Sequence, residues 1–292
     1  MIIVTGGTGK LGRAIVEDLL RRAPADRVGV SVRDPGRAQD LEARGIRVRR
    51  GDFADAVALR RAFEGASQVL LVSSGRLGEE AVRLHRNVVD AARDAGARRV
   101  VYTSHMAASL DSLFPPMWTH AATEAMLRES ELAFTALRNG FYGDSTRFLL
   151  GDAFRTGEVN APQDGPVSWT THADLAGAAA AVLTGEQGRF EGPTPSLLAP
   201  EALDLAQLGA QLGAQLAELT GRPSRRVVVP DAEYRAGLVA RGLPPERIET
   251  MLGLFAAARR GEFAATDPTL GELLGRAPET MRGVLARQLA EV

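Results

Sequence analysis

A glycine-rich turn directly after the first predicted strand constrains the fold of this chain more than any other feature. The strand covers Met1–Thr5, and the turn reads Thr5-Gly6-Gly7-Thr8-Gly9-Lys10-Leu11-Gly12. In this spacing Gly6 permits a tight turn, Gly9 lets backbone N–H groups approach a pyrophosphate, and Gly12 allows a helix to pack closely on the strand. The predicted helix Leu11–Arg22 adds its positive N-terminal dipole. The pattern therefore predicts the phosphate-binding turn of a dinucleotide-binding fold, with an ordinary glycine-rich turn as the alternative.

Short apolar strands then alternate with amphipathic helices. The predicted strands are Met1–Thr5, Arg27–Val32, Ile46–Arg50, Gln68–Ser73, Arg99–Thr103 and Ala133–Arg138. In one intervening helix, Glu79–Ala95, the apolar positions expected to face inward are Val82, Val88, Val89 and Ala92. This alternation is typical of α/β proteins, so we expect a Rossmann-like, doubly wound parallel sheet.

The second half of the chain has a different pattern. Asn160–Gly165 predicts a turn, Asp174–Leu183 and Leu203–Leu219 predict helices, and Arg225–Val229 predicts a short strand. We therefore expect a dinucleotide-binding Rossmann domain over residues 1–150 and a smaller, mainly helical, substrate-binding lobe over residues 151–292. One or more segments of that lobe are expected to return to the sheet.

The composition excludes several classes of protein. The 292 residues carry 35 basic and 36 acidic side chains, and this net charge of −1 argues against nucleic acid or an anionic membrane as a partner. The chain has no cysteine, which excludes disulfides and thiolate metal sites and fits a cytoplasmic location. No apolar run approaches the roughly 20 residues of a membrane span. The four histidines lack metal-site spacing, so no metal is expected.

Arg33 is the residue that favours one dinucleotide over another. It follows the second strand, about 20 residues after the glycines, where an acidic side chain would bind the ribose 2′-hydroxyl of NAD. A guanidinium binds a 2′-phosphate through charge-assisted hydrogen bonds, so NADPH is favoured over NADH. Asp34 leaves an alternative open, because it would either bind the ribose or begin the next helix with Pro35. Lys10 or Arg13 would assist at the phosphate.

Two further strand ends are expected at the same edge of the sheet. Asp52 would accept a hydrogen bond from the adenine amine, and Phe53 would pack nearby; helix initiation and core packing are the alternatives. Small residues after the fourth strand would let the backbone approach a ribose, and these are Ser73, Ser74 and Gly75.

Lys10 is the only lysine, and this limits the chemistry. Carbonyl reductases of the short-chain dehydrogenase type use a Tyr-x-x-x-Lys pair, and no tyrosine lies four residues before Lys10. His120 and Glu124 stand where that pair is expected, one helical turn apart. An imidazole there would deliver a proton, with Glu124 raising its basicity. The alternative is a helix start that Thr119 caps, with His120 as a partly solvated residue of the first turn.

A series of short motifs carries a family resemblance. Besides the glycine turn they are Val32-Arg33-Asp34-Pro35, Gly51-Asp52-Phe53, His85-Arg86-Asn87-Val88, Tyr102-Thr103-Ser104, His120-x-x-Thr123-Glu124 and Leu137-Arg138-Asn139-Gly140-Phe141-Tyr142. In this order they resemble the NmrA-like group of atypical short-chain dehydrogenases, and within it the bacterial quinone reductases. The likeness extends through Leu243–Glu249 and Leu270–Gly275, so it covers essentially the whole chain.

The resemblance implies an arrangement of the site. NADPH, without flavin, would lie along Gly6–Gly12 with Arg33 at its 2′-phosphate, Ser73–Gly75 near its adenosine half and Asn139–Tyr142 near its nicotinamide. Thr103 would be among the residues that bind it. Hydride would pass directly to a quinone or a similar conjugated, electron-poor acceptor. The aromatic residues expected at that acceptor are Phe141, Tyr142 and Trp118, with core packing as the alternative for each.

Two other functions stay open at this point. Members of the same group bind NADP as redox sensors and report its state to a partner protein, and the missing Tyr-Lys pair is equally compatible with that role. An epimerase or dehydratase of nucleotide sugars is disfavoured, because that chemistry normally needs the pair. The sequence does not define the oligomeric state, although homodimers are the commonest assembly of soluble oligomers.

Overall fold

The structure is a computed structural model that describes residues 1–185, 189–220 and 224–291. Its strands are β1 (Ile2–Thr5), β2 (Val28–Val32), β3 (Arg47–Arg50), β4 (Gln68–Leu71), β5 (Arg99–His105), β6 (Ala133–Asn139), β7 (Phe141–Tyr142), β8 (Glu158–Ala161), β9 (Val167–Thr170), β10 (Gly192–Pro193), β11 (Ala202–Leu203) and β12 (Arg225–Val228).

The α-helices are α1 (Lys10–Leu20), α2 (Gln39–Glu42), α3 (Ala56–Phe63), α4 (Gly78–Asp94), α5 (Pro116–Glu129), α6 (Thr146–Leu150), α7 (Ala153–Thr156), α8 (His172–Thr184), α9 (Leu205–Thr220), α10 (Asp231–Ala240), α11 (Pro245–Arg259), α12 (Thr269–Leu274) and α13 (Met281–Ala290). Short 3₁₀ helices cover Ala25–Arg27, Pro35–Ala38 and Gly143–Ser145. Within the described residues, no helix is both long and apolar enough to cross a membrane.

A parallel sheet forms the centre of the molecule. In the described part of the chain its seven strands follow the order β10-β6-β5-β4-β1-β2-β3, and every neighbouring pair is parallel. The predicted doubly wound Rossmann-like sheet is confirmed, and the six predicted strands are present with ends that differ by two residues or fewer. The strand order reverses between β1 and β4, which opens a crevice outside their carboxyl ends.

Side chains of the sheet alternate between two cores. Ile2 and Val4 of β1 pack with α1 and α8 on one face, whereas Ile3 packs with α3, α4 and α5 on the other. The strands are apolar at successive positions because both faces are covered by helices.

The second half of the chain contributes to the sheet as well as to a separate lobe. The predicted helix Asp174–Leu183 is found as α8, which packs against α1, and β10 extends the sheet beside β6. The predicted helix Leu203–Leu219 is α9, and it packs with α7, α11 and α13 into a third core. Two small sheets, β11-β9-β7 and β12-β8, complete this lobe.

Two local predictions are wrong. Asn160–Gly165 does not begin as a turn, because Asn160 and Ala161 belong to β8 and pair with Val227 and Val228 of β12. This pairing partner lies far along the chain, so tertiary contacts override the local turn preference. In α4, Val82 is only half-buried, and His85 occupies a fully buried position on the inward face instead.

Gly12 allows α1 to lie directly against the glycine turn. A Cβ atom built on Gly12 would lie 2.3 Å from the carbonyl oxygen of Gly6. The φ angle of Gly6 is 63°, which lies in the left-handed region. The sequence-based reason for these two glycines is therefore visible in the geometry.

We expect Gly12→Ala to lower the free energy of unfolding by about 1–3 kcal/mol, because the backbone of the turn must shift to admit the methyl group. Urea denaturation followed by circular dichroism measures this change. Gly237→Ala in α10 is the matched control: outside its chain neighbours and its own helix backbone, no described atom lies within 4 Å of the added carbon, so we expect it to gain about 0.5–1 kcal/mol. Unchanged stability of the Gly12→Ala protein would contradict the packing argument.

Candidate functional site

The glycine turn presents the start of α1 to the crevice. Gly9 is the N-cap residue, and no side chain among the described residues caps this helix. Its first backbone N–H groups are therefore available to an anion. The side chain of Leu11 packs into the core beneath α1, so only its backbone faces the crevice. In the turn itself, Gly7 is buried and Thr8 is half-buried.

Arg33 lies exposed at the end of β2, and it makes no ion pair with any residue that the structure describes. Asp34 accepts a hydrogen bond from the backbone N–H of Gly36 at 3.0 Å and caps the 3₁₀ helix that begins with Pro35. Of the two roles left open for Asp34, the structure therefore shows the start of a helix. Arg33 remains free to bind a phosphate.

The other two cations near the turn already have carboxylate partners. The Nζ atom of Lys10 lies 2.7 Å from Oδ2 of Asp144, and the same carboxylate oxygen lies 2.7 Å from Nδ1 of His172. Arg13 pairs with Asp40, which holds the pKa of that carboxyl below its usual value. A dinucleotide phosphate would have to compete with these carboxylates for Lys10 and Arg13.

Asp52 and Phe53 lie in the loop after β3, at the carboxyl edge of the sheet. Asp52 accepts a hydrogen bond from the backbone N–H of Ala54 at 2.9 Å, so it forms a local turn. Asp55, three residues later, is the residue that caps α3. The half-buried ring of Phe53 packs against the core between the sheet and α3 and α4, as the core-packing alternative predicts.

A cavity of about 370 Å³ lies at the carboxyl ends of β4, β5 and β6. Its lining residues are Ser73, Ser74, Gly75, Arg76, Leu77, Thr103, Ser104, His105, Phe114, Pro116, Met117, His120, Asn139, Gly140, Phe141, Tyr142 and Ser145. The cavity therefore brings together most predicted residues of the nicotinamide and substrate side. Ser73–Gly75, which the resemblance places near the adenosine half, line this cavity together with Asn139.

Trp118 lies outside this cavity. Its side chain is 46% exposed on the outer face of α5, in a surface groove with Val82 and Leu110, and its indole N–H donates to the carbonyl of Ser112 at 2.7 Å. Met117 and His120 occupy the inner face of the same helix. The expectation that Trp118 contacts substrate does not fit this placement.

His120 is held by a phenol and not by a carboxylate. Its Nδ1 atom lies 2.8 Å from the hydroxyl of Tyr102, which is fully buried. Burial raises the pKa of Tyr102 above its usual value and lowers the pKa of His120 to about 4. Both groups are therefore neutral at pH 7.

Glu124 does not support His120, and the predicted increase in basicity is wrong. Its buried carboxylate receives hydrogen bonds from Arg138, at 3.1 and 2.8 Å, and from the hydroxyl of Ser104 at 2.7 Å. These partners lie on β6 and β5, so the carboxylate faces the sheet while the imidazole faces the cavity. Glu124 therefore joins α5 to the two strands that form the cavity floor.

Sequence reasoning missed Tyr102 and His105 as residues of the site. β5 continues two residues beyond its predicted end, and this extension places His105 in the cavity wall with its ring centroid 4.5 Å from that of Phe141. Burial lowers the pKa of His105 well below its usual value. Tyr102 belongs to a motif that carries the family resemblance. Successive side chains of a strand point to opposite faces, so the residue before the cavity-lining Thr103 is expected behind the cavity wall.

Two residues of the cavity lining each carry a buried polar atom without a partner. The side-chain oxygen of Asn139 and the hydroxyl of Ser74 find no hydrogen-bond partner among the residues that the structure describes. Leaving such groups unpaired costs free energy, so these positions fit the polar groups of a ligand. The amide oxygen of Asn139 suits a carboxamide N–H donor, and the Ser74 hydroxyl suits a ribose hydroxyl. The residues present therefore fit a nicotinamide dinucleotide.

The turn, the crevice and the cavity together define a dinucleotide-binding protein, and comparison with known proteins agrees. The NAD(P)H-binding family matches residues 6–186 of the chain. The chain belongs to this family and to its NmrA-like group.

Two relatives match nearly the full length of the chain. It is 35% identical to quinone oxidoreductase 2 of Escherichia coli (strain K12) over 96% of both chains. It is also 32% identical to an NmrA-like family domain-containing oxidoreductase of Aspergillus flavus, over 99% of this chain and 95% of the relative.

The two main alternatives, a reductase and a redox-sensing regulator, differ in how similar their solved structures are to this chain. The NADPH complex of the NADPH-dependent quinone oxidoreductase of Escherichia coli superposes with a TM-score of 0.89 at 32% identity, covering 99% of both chains. The negative transcriptional regulator NmrA in complex with NADP superposes with a TM-score of 0.71 at 19% identity, over 99% of this chain and 95% of that one. The similarity to the regulator therefore shows the fold alone.

Proposed function

We propose that this chain is an NADPH-dependent reductase that passes hydride directly to a quinone or a similar conjugated, electron-poor acceptor. The observation that carries the proposal is the cavity at the carboxyl ends of β4, β5 and β6, which is lined by Asn139 and by aromatic side chains. The full-length similarity to a quinone oxidoreductase supports it. The regulatory alternative has weaker support, because its likeness is confined to the fold.

The cofactor would lie across the carboxyl edge of the sheet. The backbone N–H groups at the start of α1 would hold its pyrophosphate, and Arg33 would bind the 2′-phosphate. Asn139 and Ser74 would bind at the nicotinamide half, since both line the cavity. When bound there, NADPH supplies the hydride.

The aromatic wall would hold a flat acceptor. Phe114 and Phe141 lie with their ring centroids 5.7 Å apart, and Phe263 packs behind Phe141 at 4.7 Å. Such faces stack well on a conjugated ring and keep water away from it. The contribution of the chain to hydride transfer is then chiefly proximity and the exclusion of water.

His120 would provide a hydrogen bond to the acceptor oxygen. With the phenol of Tyr102 as the donor to Nδ1, the proton of the neutral imidazole would lie on Nε2. A neutral imidazole N–H would donate a hydrogen bond to the acceptor oxygen and so stabilise the negative charge that develops there. This arrangement would take over the part that a Tyr-Lys pair plays in other reductases.

Two further expectations stay proposals. We expect a cytoplasmic enzyme whose partners are small aromatic molecules and not nucleic acid, in keeping with the net charge of −1. We also expect a homodimer, which sedimentation equilibrium tests directly.

The proposed reaction is tested by NADPH oxidation against a panel of benzoquinones, naphthoquinones and simple aldehydes, without added flavin. We expect turnover of quinones but not of aldehydes, because a simple aldehyde needs a strong proton donor that the cavity lacks. Turnover of aldehydes alone, or of no acceptor at all, would contradict the proposal.

Arg33→Ala tests the choice of dinucleotide. We expect the Kd for NADPH, measured by titration calorimetry, to rise about 10- to 100-fold, because charge-assisted hydrogen bonds to the 2′-phosphate are lost. The Kd for NADH should change less than about twofold, since NADH has no such phosphate. Arg22→Ala, an exposed arginine just after α1, is the matched control. Equal losses for both dinucleotides would refute the role of Arg33.

His120→Phe tests the hydrogen bond to the acceptor. We expect kcat to fall about tenfold, less than for a strong general acid, because the oxygen of a reduced quinone needs little proton transfer. His120→Gln, which keeps an N–H donor, should retain more activity. Because burial holds the pKa of His120 at about 4, kcat/KM should stay flat between about pH 8 and 5. A pH profile with a midpoint near pH 6.5 would show that His120 titrates and would contradict this role.

A further inference from the structure

Side chains accept hydrogen bonds from three backbone N–H groups of the loop after β4 and from that of Gly78, the first residue of α4. The donor–acceptor pairs are Val72 with Thr5 Oγ1 at 3.0 Å, Ser73 with Thr103 Oγ1 at 2.8 Å, Ser74 with His85 Nε2 at 3.0 Å, and Gly78 with Thr119 Oγ1 at 2.9 Å. Residues 73–77 of this loop line the cavity. One cavity wall is therefore fixed by side chains from β1, β5, α4 and α5.

His85 has one possible arrangement of its protons. A backbone N–H only donates, so the Nε2 atom that accepts from Ser74 carries no proton. The ring proton is then on Nδ1, which lies 2.9 Å from Oγ1 of Thr123, and the Thr123 hydroxyl donates in turn to the carbonyl of Thr119 at 2.8 Å. Both ring nitrogens are used, one toward the loop and one toward α5.

The surroundings of His85 keep the ring neutral and in place. The side chain is fully buried, with the rings of Phe53 and Tyr102 at centroid distances of 6.5 and 5.5 Å. Burial, with a smaller contribution from the nearby His120, lowers the pKa of His85 to about 3. An apolar side chain would fill the same space, so the hydrogen bonds are what the imidazole adds.

We propose that His85 is a positioning residue for the nicotinamide half of the dinucleotide: by accepting from the backbone N–H of Ser74, it fixes the loop of residues 73–77 that lines the cavity. This inference rests on the proposed function, since it requires a dinucleotide in the cavity. Asn87, two residues along α4, donates to the carbonyl of Phe53 at 2.8 Å. The His-x-Asn pattern on α4 thus fixes two loops at the carboxyl edge of the sheet.

Two variants separate the hydrogen bond from the volume of the ring. His85→Phe keeps an aromatic ring but removes both nitrogens, whereas His85→Gln retains an oxygen that can accept from the Ser74 N–H. We expect the Kd for NADPH to rise about tenfold in His85→Phe and less than about threefold in His85→Gln. The value of kcat at saturating NADPH should change less than about threefold in both. Arg86→Ala, exposed on the same helix, should bind NADPH as the wild type does.

Two readouts do not depend on activity. Hydrogen exchange measured by mass spectrometry should become faster in residues 72–78 of His85→Phe and stay near the wild-type rate in His85→Gln. In the wild-type protein, ¹⁵N NMR should find His85 with a bare Nε2 and a protonated Nδ1. A proton on Nε2 would overturn the proposal even if neither variant folds.

The outcomes distinguish this proposal from the proposed function. If the wild-type chain binds no NADPH, the proposed function fails and the positioning role fails with it. If the wild-type chain binds NADPH and His85→Phe binds it equally well, only the positioning role is refuted. Tenfold weaker binding that His85→Gln restores would support both.

Discussion

The rest of the site depends on the hydrogen bonds that the backbone N–H groups at the start of α1 can donate. These groups face the crevice because the glycine turn brings the helix directly against β1, with Gly12 too close to the Gly6 carbonyl to carry a side chain. The strand order then places β4, β5 and β6 on one side of this turn and β2 on the other. A dinucleotide bound at the turn must therefore reach toward Arg33 in one direction and toward the cavity in the other.

The titratable groups His120 and Tyr102 at the cavity are neutral, whereas related reductases often use charged groups. The pKa of His120 is lowered and that of Tyr102 raised by the same cause, burial, so neither carries a charge at pH 7. The one lysine is engaged with Asp144, outside this set of groups. A hydride acceptor that needs strong proton donation would react slowly at such a site. An electron-poor quinone would not depend on a strong proton donor. The buried ion pair of Glu124 and Arg138 has a different part, since it ties α5 to the strands beneath the cavity.

The sequence predicts the features that depend on local pattern. The strands, the glycine turn and Arg33 at the end of β2 follow from periodicity, glycine spacing and strand order, and the structure places them accordingly. The partners of Glu124 do not follow, because i,i+4 spacing brings two side chains near one another without fixing which way the helix faces. Arg138 reaches Glu124 only because β6 lies under α5. The outward position of Trp118 does not follow from the sequence for the same reason, since the way its helix faces is set by packing.

The most direct measurement is a crystal structure of the protein with NADPH. The account predicts the pyrophosphate on the backbone N–H groups at the start of α1 and the nicotinamide carboxamide within hydrogen-bonding distance of Asn139. A nicotinamide that lies outside the cavity, or a cavity closed by its own aromatic side chains in the complex, would contradict direct hydride transfer at this site.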